Sequence, residues 1–136
     1  MRNFFSFLSK FTHKKIICFD GGGVRTIASL VFLQKLEAES GKKISDIFDM
    51  FIGTSAGAFN AACFAYGGFT ADKIKRYWSK SYLDQIMKSS FFWDKASLIQ
   101  ARPRYESEGR LKLLEEIFKS DKLQQSNKPF LCYAYD

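Results

Sequence analysis

The residue with the clearest potential for chemistry is Ser55, which stands in the sequence Gly53-Thr54-Ser55-Ala56-Gly57. This sequence matches Gly-x-Ser-x-Gly, in which a strand turns sharply into a helix and presents the serine hydroxyl at the strand end. Small residues must stand on both sides of the serine, because a Cβ there would collide with the neighbouring strand or helix. The pattern predicts that Ser55 is a nucleophile, with Gly53, Thr54, Ala56 and Gly57 forming its elbow.

A second glycine-rich turn precedes it and reads Gly21-Gly22-Gly23-Val24-Arg25. Its backbone N–H groups can hold the negative oxygen that forms when a serine attacks an ester carbonyl. The segment formed by Gly21, Gly22, Gly23 and Arg25 is therefore a candidate oxyanion hole. A nucleophile and an oxyanion hole together predict acyl hydrolase chemistry.

The glycine run also begins the fingerprint of a dinucleotide-binding loop, because Gly21-x-Gly23 follows a strand pattern. Thr26 stands where that fingerprint needs its third glycine. The next strand pattern leads into the serine turn, whereas a dinucleotide site requires a ribose-binding acid there. The joint occurrence of the two turns therefore favours the hydrolase.

Two parallel strands separated by a helix are needed to bring these turns together. The apolar run Ile16–Phe19 predicts a buried strand, and residues 27–40 show a helical period that ends at Gly41. A second strand is predicted over 48–52. A right-handed β-α-β crossover places both turns at the carboxyl ends of the strands, where open α/β sheets bind ligands.

Four further elements are predicted downstream. A helix rich in small residues follows Ser55 and ends at Gly67-Gly68. Thr70 is predicted to cap the next helix, whose apolar stripe consists of Ile74, Tyr77, Trp78, Tyr82 and Ile86. An amphipathic helix over 107–119 is predicted to bury Leu111, Leu114 and Phe118. A final strand is predicted over 130–135, and the aromatic run Phe91-Phe92-Trp93 is expected in the core rather than at a membrane interface.

The segment from Asp20 to Arg25 and the later segment from Gly53 to Gly57 together resemble the two motifs of the patatin-like phospholipase family. The resemblance covers roughly residues 15–136. It implies a three-layer α/β/α fold with a parallel-sheet core, a Ser–Asp dyad, and release of fatty acids from phospholipid or other lipid esters. No metal or organic cofactor is implied.

The proton acceptor is the part of the site that the sequence does not assign. His13 is the one histidine of the chain and precedes the first strand, so a Ser-His-Asp triad is disfavoured. The family's dyad aspartate lies in a D-G-G or D-G-A motif beyond the serine, and the one Asp-Gly pair here is Asp20-Gly21. Asp20 is expected to brace the glycine turn through backbone N–H groups. Asp46 and Asp49 are expected at the far end of the serine strand.

Asp136 resembles a family position that is not catalytic, so no catalytic aspartate is assigned. The interpretation is a domain incomplete at its C-terminus, from a truncated or split gene, with a basic amphipathic segment over 1–15 and a partial patatin-like domain over 16–136. A complementing C-terminal half would then supply the base. The alternative is a catalytically inactive fragment that binds lipids or membranes.

Charge and cysteine content bound the partners and the compartment. The formal net charge is +7, which favours anionic partners, and no nucleic-acid-reading motif is present. A membrane surface, met through a basic and aromatic face, is therefore the expected partner, and nucleic acid is not. Cys18, Cys63 and Cys132 form no Cys-x-x-Cys pair, which predicts reduced thiols and a cytoplasmic protein, either free or peripheral on a membrane. No apolar run is long enough to span a bilayer.

Three interpretations stay open at this stage. Phe4, Phe7, Leu8 and Phe11 lie on one face of a predicted helix, which either enters a lipid surface or packs on the domain. Arg25 either orients a phospholipid phosphate or ties down its loop by a salt bridge. Thr26 replaces the family's usual glycine, which leaves open how the following helix packs on the loop.

Overall fold

The computed structural model describes residues 13–86, 107–119 and 126–133. In chain order, the elements are β1 (Ile16–Phe19), a 3₁₀ turn (Gly23–Thr26), α1 (Ile27–Ser40), α2 (Ile44–Ile47), β2 (Met50–Thr54), α3 (Ala56–Gly67), α4 (Ala71–Tyr77), α5 (Lys80–Ile86), α6 (Ser107–Phe118) and β3 (Phe130–Tyr133). The predicted N-terminal amphipathic helix, the run Phe91-Phe92-Trp93 and Asp136 lie outside the described residues.

The described strands form a parallel sheet in the order β1-β2-β3. The predicted β-α-β unit is confirmed, since β1 pairs with β2 in parallel and α1 lies between them in the chain. β2 begins at Met50, two residues later than predicted. The reason is that the N–H of Phe48 still donates to the carbonyl of Ile44 at 3.1 Å and so closes the last turn of α2.

Helix α3 packs on one face of this sheet through an aromatic stack. The ring of Phe64 lies between those of Phe19 and Phe51, with centroid separations of 5.7 and 5.8 Å. Ala61 and Ala65 are fully buried on the same helix. Their small side chains let the helix approach the strands closely, as its composition predicts.

The opposite face of the sheet stays exposed within the described ranges. Ile16, Leu131 and Tyr133 lie in the strands and are exposed, Tyr133 to 74%. Cys18 pairs with Ile52 in this sheet and is exposed as well. The described residues thus supply the parallel sheet of an α/β fold and the helical layer over one of its faces.

The predicted helix after Thr70 is two helices. Its start is confirmed, since the Thr70 hydroxyl accepts a hydrogen bond from the Lys73 N–H at 3.3 Å. The helix ends at Trp78, where the backbone reaches φ −92° and ψ 10°. A separate helix, α5, begins after Ser79, whose carbonyl accepts a hydrogen bond from the Leu83 N–H at 2.9 Å.

Helix α6 buries a different stripe from the one predicted. Leu113 and Ile117 are buried, whereas Leu111 and Leu114 are 56% and 41% exposed. Phe118 is half-buried as expected and meets the ring of Phe59 at 6.5 Å. The prediction was wrong because both stripes fit a helical period, and only packing against the neighbouring helices decides which one turns inward.

A single carboxylate organises the starts of two helices. Glu37, near the end of α1, accepts the N–H of Ile44 at 3.2 Å and the N–H of Ala71 at 2.9 Å. These donors belong to the first turns of α2 and α4, which lack partners inside their own helices. α1 then ends at Gly41, whose left-handed φ of 65° confirms the predicted cap.

Candidate active site

Ser55 lies between β2 and α3 in a strained backbone conformation. Its φ is 53° and its ψ is −125°, and the only other non-glycine residue with positive φ in the described ranges is Lys119. Such a conformation costs on the order of 1–3 kcal/mol and persists only where the surroundings impose it. The residue is exposed, so the turn presents the hydroxyl to solvent.

The two glycines of this turn are required by packing. A Cβ at Gly53 would lie 2.6 Å from the Cα of Ala58 and closer still to the carbonyl oxygen of Gly57. A Cβ at Gly57 would lie 2.7 Å from the carbonyl oxygen of Asp20 and closer still to that of Phe19. The first turn of α3 therefore sits directly on the ends of β2 and β1.

The other glycine turn lies beside Ser55. A Cβ at Gly21 would be 3.3 Å from the Cβ of Ser55 and 3.4 Å from the carbonyl oxygen of Thr54. Gly23 has a φ of 56° and no neighbour within 4 Å of a Cβ built there. The two predicted motifs thus meet at the carboxyl edge of the sheet.

Arg25 contributes to this turn in a different way from the glycines. Its backbone N–H donates to the carbonyl of Gly22 at 3.2 Å and closes the 3₁₀ turn. That N–H is therefore unavailable to an oxyanion. The side chain is exposed and forms no salt bridge within the described part of the chain, so the salt-bridge role considered for Arg25 is not seen there.

The pairing of β1 with β2 sets the relation between the turns. Ile16 pairs with Met50 and Phe19 with Gly53. The same separation of 34 residues joins the Lys15 N–H to the Asp49 carboxylate before the strands, at 2.9 Å. It recurs beyond them between Thr26 and Asn60. The paired strands end together, which brings the two turns that follow them side by side.

Hydrogen bonds of the buried Asn60 side chain connect α3 with the start of α1 and the end of α4. The Asn60 side chain, with 0% exposure, donates from Nδ2 to Thr26 Oγ1 at 2.9 Å. Its Oδ1 accepts from the Trp78 indole N–H, also at 2.9 Å. This arrangement shows how α1 packs with Thr26 in place of glycine. Sequence reasoning missed Asn60, although an amide within an apolar, alanine-rich helix was a visible signal.

Among the described residues, no aspartate, glutamate or histidine side chain forms a hydrogen bond with Ser55. Asp20 is exposed, and within the described residues its carboxylate makes no hydrogen bond, so the expected brace is absent there. Asp49 lies at the amino end of the sheet as predicted, and the Lys15 N–H lowers the pKa of its carboxyl. His13 is exposed and precedes β1, at the same distant end.

A groove of about 500 Å³ opens between β1 and α1. Its polar lining includes Gly21, Gly22 and Arg25, and its apolar lining includes Phe32 and Phe48. Phe32 is 69% exposed, so the groove is open to solvent. The candidate oxyanion loop thus forms one part of an otherwise largely apolar depression.

The three cysteines are free thiols. Cys18 and Cys132 are exposed on the strands, and Cys63 is buried in α3. Burial raises the pKa of the Cys63 thiol, which keeps it protonated and unreactive. Its role is that of a small apolar core residue.

A parallel sheet, a strained serine at a strand-to-helix turn and a glycine loop packed beside it define an α/β protein with the strand-turn-helix geometry that is typical of a nucleophile elbow. The model of the patatin-like phospholipase family matches residues 17–134. The chain therefore belongs to the patatin-like phospholipase family.

Several curated relatives match shorter stretches. Phospholipase A I of Arabidopsis thaliana is 40% identical over 47 residues, which cover 35% of this chain and 4% of that protein. Patatin-like phospholipase 1 of Plasmodium falciparum is 49% identical over 49 residues, covering 31% of this chain and 7% of the relative. The 85/88 kDa calcium-independent phospholipase A2 of Rattus norvegicus is 38% identical over 52 residues, covering 38% and 6%. The chain thus spans a small fraction of the length of these relatives.

Proposed function

We propose that this domain is a lipid acyl hydrolase in which Ser55 attacks the ester carbonyl of a phospholipid or another lipid ester. The observation that carries the proposal is the packing of Gly21 against Ser55, at 3.3 Å between the Cβ positions. This contact puts the strained serine next to a loop of backbone donors. The names of the relatives from Arabidopsis thaliana and Rattus norvegicus, both phospholipases, support phospholipids as the substrate class.

The reaction is acyl transfer in two steps. The Ser55 oxygen bonds to the carbonyl carbon as its proton passes to a base, and the carbonyl oxygen becomes an oxyanion. Collapse of this intermediate breaks the ester bond, and the departing alcohol takes up the proton. Water then attacks the acyl-serine by the same route and releases a fatty acid, leaving Ser55 protonated again.

The backbone N–H groups of Gly22 and Gly23 are the proposed oxyanion donors. Neither is a donor in the hydrogen bonds described for this turn, in contrast to the N–H of Arg25. The Arg25 guanidinium, exposed at the same groove, is assigned to a lipid phosphate, for which its planar fork of donors is suited. Removing one oxyanion donor typically slows such reactions by about 100- to 1,000-fold.

The base is proposed to be the aspartate of a Ser–Asp dyad. Asp49 is held at the amino end of the sheet by the Lys15 N–H, and Asp72 is paired with Arg76 at 2.8 Å. Asp20 makes no hydrogen bond to Ser55 among the described residues. We therefore propose that the carboxylate comes from outside the described residues, either from this chain or from a complementing segment.

A membrane surface is the proposed source of substrate. The formal net charge of +7 attracts anionic headgroups, and the exposed Phe32 ring beside the groove offers an apolar contact. None of the helices in the described ranges has the length and apolar character needed to cross a bilayer. We propose that the domain binds at the surface of the membrane.

The test is fatty-acid release from mixed phospholipid vesicles by the 136-residue chain and its Ser55→Ala variant. We expect the variant to lose at least about a thousandfold in rate, since the nucleophile cannot be replaced by water at comparable speed. Ser40→Ala is a matched control, because it removes another exposed serine hydroxyl at the far end of α1. Activity retained in Ser55→Ala would remove Ser55 from the mechanism.

If neither protein releases fatty acid, covalent labelling separates the two remaining explanations. An alkyl fluorophosphonate forms a P–O bond with an activated serine and expels fluoride. Labelling that requires Ser55 would support the nucleophile and leave turnover dependent on a complementing segment. No labelling at all would contradict an activated Ser55 in this chain and favour an inactive fragment that binds lipid.

A further inference from the structure

We propose that Asn60 is a positioning residue that holds the oxyanion loop at a set distance from the nucleophile. The proposal rests on the hydrolase function above. The side-chain amide of Asn60 is fully buried, and both its nitrogen and its oxygen form hydrogen bonds to residues outside its own helix, Thr26 and Trp78. A buried polar side chain with this arrangement defines the relative position of three elements.

The orientation of the amide is fixed by its partners. An indole N–H is a donor only, so it must meet the oxygen of the Asn60 side chain. The Nδ2 group then necessarily faces Thr26, whose hydroxyl oxygen accepts at 2.9 Å. Trp78 therefore aims Asn60 at the start of α1. Trp78 itself is held by an edge-to-face contact with Phe59, at 5.6 Å between ring centroids.

Both ends of the Thr26–Asn60 bond lie close in sequence to the proposed chemistry. Thr26 is the last residue of the 3₁₀ turn that begins at Gly23, so it lies only three and four residues after the candidate donors Gly23 and Gly22. Asn60 lies in the second turn of α3, the helix that begins directly after Ser55. The bond therefore links the donor loop to the nucleophile helix on the inner side of the site.

A small displacement here has a large consequence. Oxyanion donors act only when they lie at hydrogen-bond distance from the developing charge, and a misplacement of about 1 Å can cost 100-fold in rate. The two candidate donors have little packing of their own, since a Cβ at Gly22 would meet nothing nearer than 3.8 Å and one at Gly23 nothing within 4 Å. Positional control must then come from anchors such as Thr26.

The test measures phosphonylation of Ser55 in the full chain by a p-nitrophenyl alkylphosphonate, which releases p-nitrophenolate as the P–O bond to serine forms. Thr26→Val removes the acceptor at nearly constant volume. We expect the maximal rate to fall about 10- to 100-fold with the half-saturating concentration unchanged, because the transition state and not binding is affected. Thr26→Ser restores the hydroxyl and should recover most of the rate.

Thr70→Val is the matched control, since it removes a hydroxyl that caps α4 and has no bond to the loop. It should leave the maximal rate within about twofold of the wild type, although it removes a helix cap. The ¹⁵N–¹H signals of the two tryptophan indoles supply an independent signature. Trp78→Phe identifies the Trp78 signal, which should shift in Thr26→Val and keep its position in Thr70→Val.

The outcomes are distinct. A folded Thr26→Val variant that reacts as fast as the wild type overturns the positioning role while leaving the proposed function intact. If Thr26→Val does not fold, Trp78→Phe is the deciding variant, because it keeps an aromatic ring at this position and removes the N–H that orients the Asn60 amide. An unchanged maximal rate in Trp78→Phe then overturns the positioning role, and a decrease supports it. A wild-type chain that shows no Ser55-dependent reaction overturns the proposed function, and the positioning role with it.

Discussion

The two glycine turns at the carboxyl edge of the sheet differ in what makes glycine necessary. In the serine turn, a Cβ at Gly53 or Gly57 would come within 2.7 Å of backbone atoms of another element. In the loop turn, a Cβ at Gly21 would lie 3.3 Å from the Cβ of Ser55, one at Gly22 would meet nothing nearer than 3.8 Å, and one at Gly23 nothing within 4 Å. The first turn is therefore constrained by close backbone packing, whereas Gly23 in the second turn is constrained by its backbone conformation.

The largest loss of stability on replacing one of these glycines is expected in the serine turn. Gly57→Ala forces α3 away from the end of β1, because the obstructing atoms are backbone and cannot rotate aside. We expect a loss of about 3 kcal/mol in the free energy of unfolding, the upper range for overpacking. Urea denaturation of the full chain measures it. Gly22→Ala is the control, and an equal loss in both variants would contradict the distinction.

A smaller loss of stability is expected on replacing Gly23 in the loop turn. Gly23→Ala meets no steric obstacle, so its cost is the strain of placing an L-residue at a φ of 56°. That strain is about 1–2 kcal/mol. Gly41 has a φ of 65° and is equally open, so Gly41→Ala should cost the same in the same denaturation experiment. A much larger cost for Gly23→Ala would mean that packing, too, constrains the loop.

The smallest effect concerns the residue between the packed glycines. Ser55→Gly removes the strain at a φ of 53° but adds the backbone freedom of glycine to the unfolded chain. We expect a net gain of about 0.5–1 kcal/mol in the free energy of unfolding. Ser55→Ala keeps the strained backbone and should change stability little, so the difference between the two variants reports the strain less the backbone entropy that glycine adds to the unfolded chain. A stability lower for glycine than for alanine would refute this account.

The parts of the structure that the sequence predicted correctly are those set by local rules. β1 has the predicted bounds, and the cap of α1 at Gly41 follows from its left-handed backbone. The serine turn was predictable because a sharp strand-to-helix turn needs small residues on both sides of the serine. Such features depend on residues within one turn of each other.

The parts that it did not predict depend on partners far along the chain. The break between α4 and α5 falls at Trp78, whose indole bonds to Asn60, a residue on another helix. The inward stripe of α6 is chosen by the site where it packs, and periodicity alone leaves two choices. The brace expected from Asp20 is not formed in the described structure, and the link between Thr26 and Asn60 was not anticipated.

The constant separation of 34 residues across β1 and β2 has a consequence for insertions and deletions. The separation of 34 residues is set by the length of the chain that connects β1 to β2. The contacts between the two glycine turns depend instead on how the two strands pair. Residues added at the exposed turn of Gly41 and Lys42 would change the number and leave the pairing of β1 with β2 and the contact between the two glycine turns in place. One residue added in either glycine turn would shift one motif past the other. Length differences among aligned family members are therefore expected near Gly41, with both glycine turns constant in length.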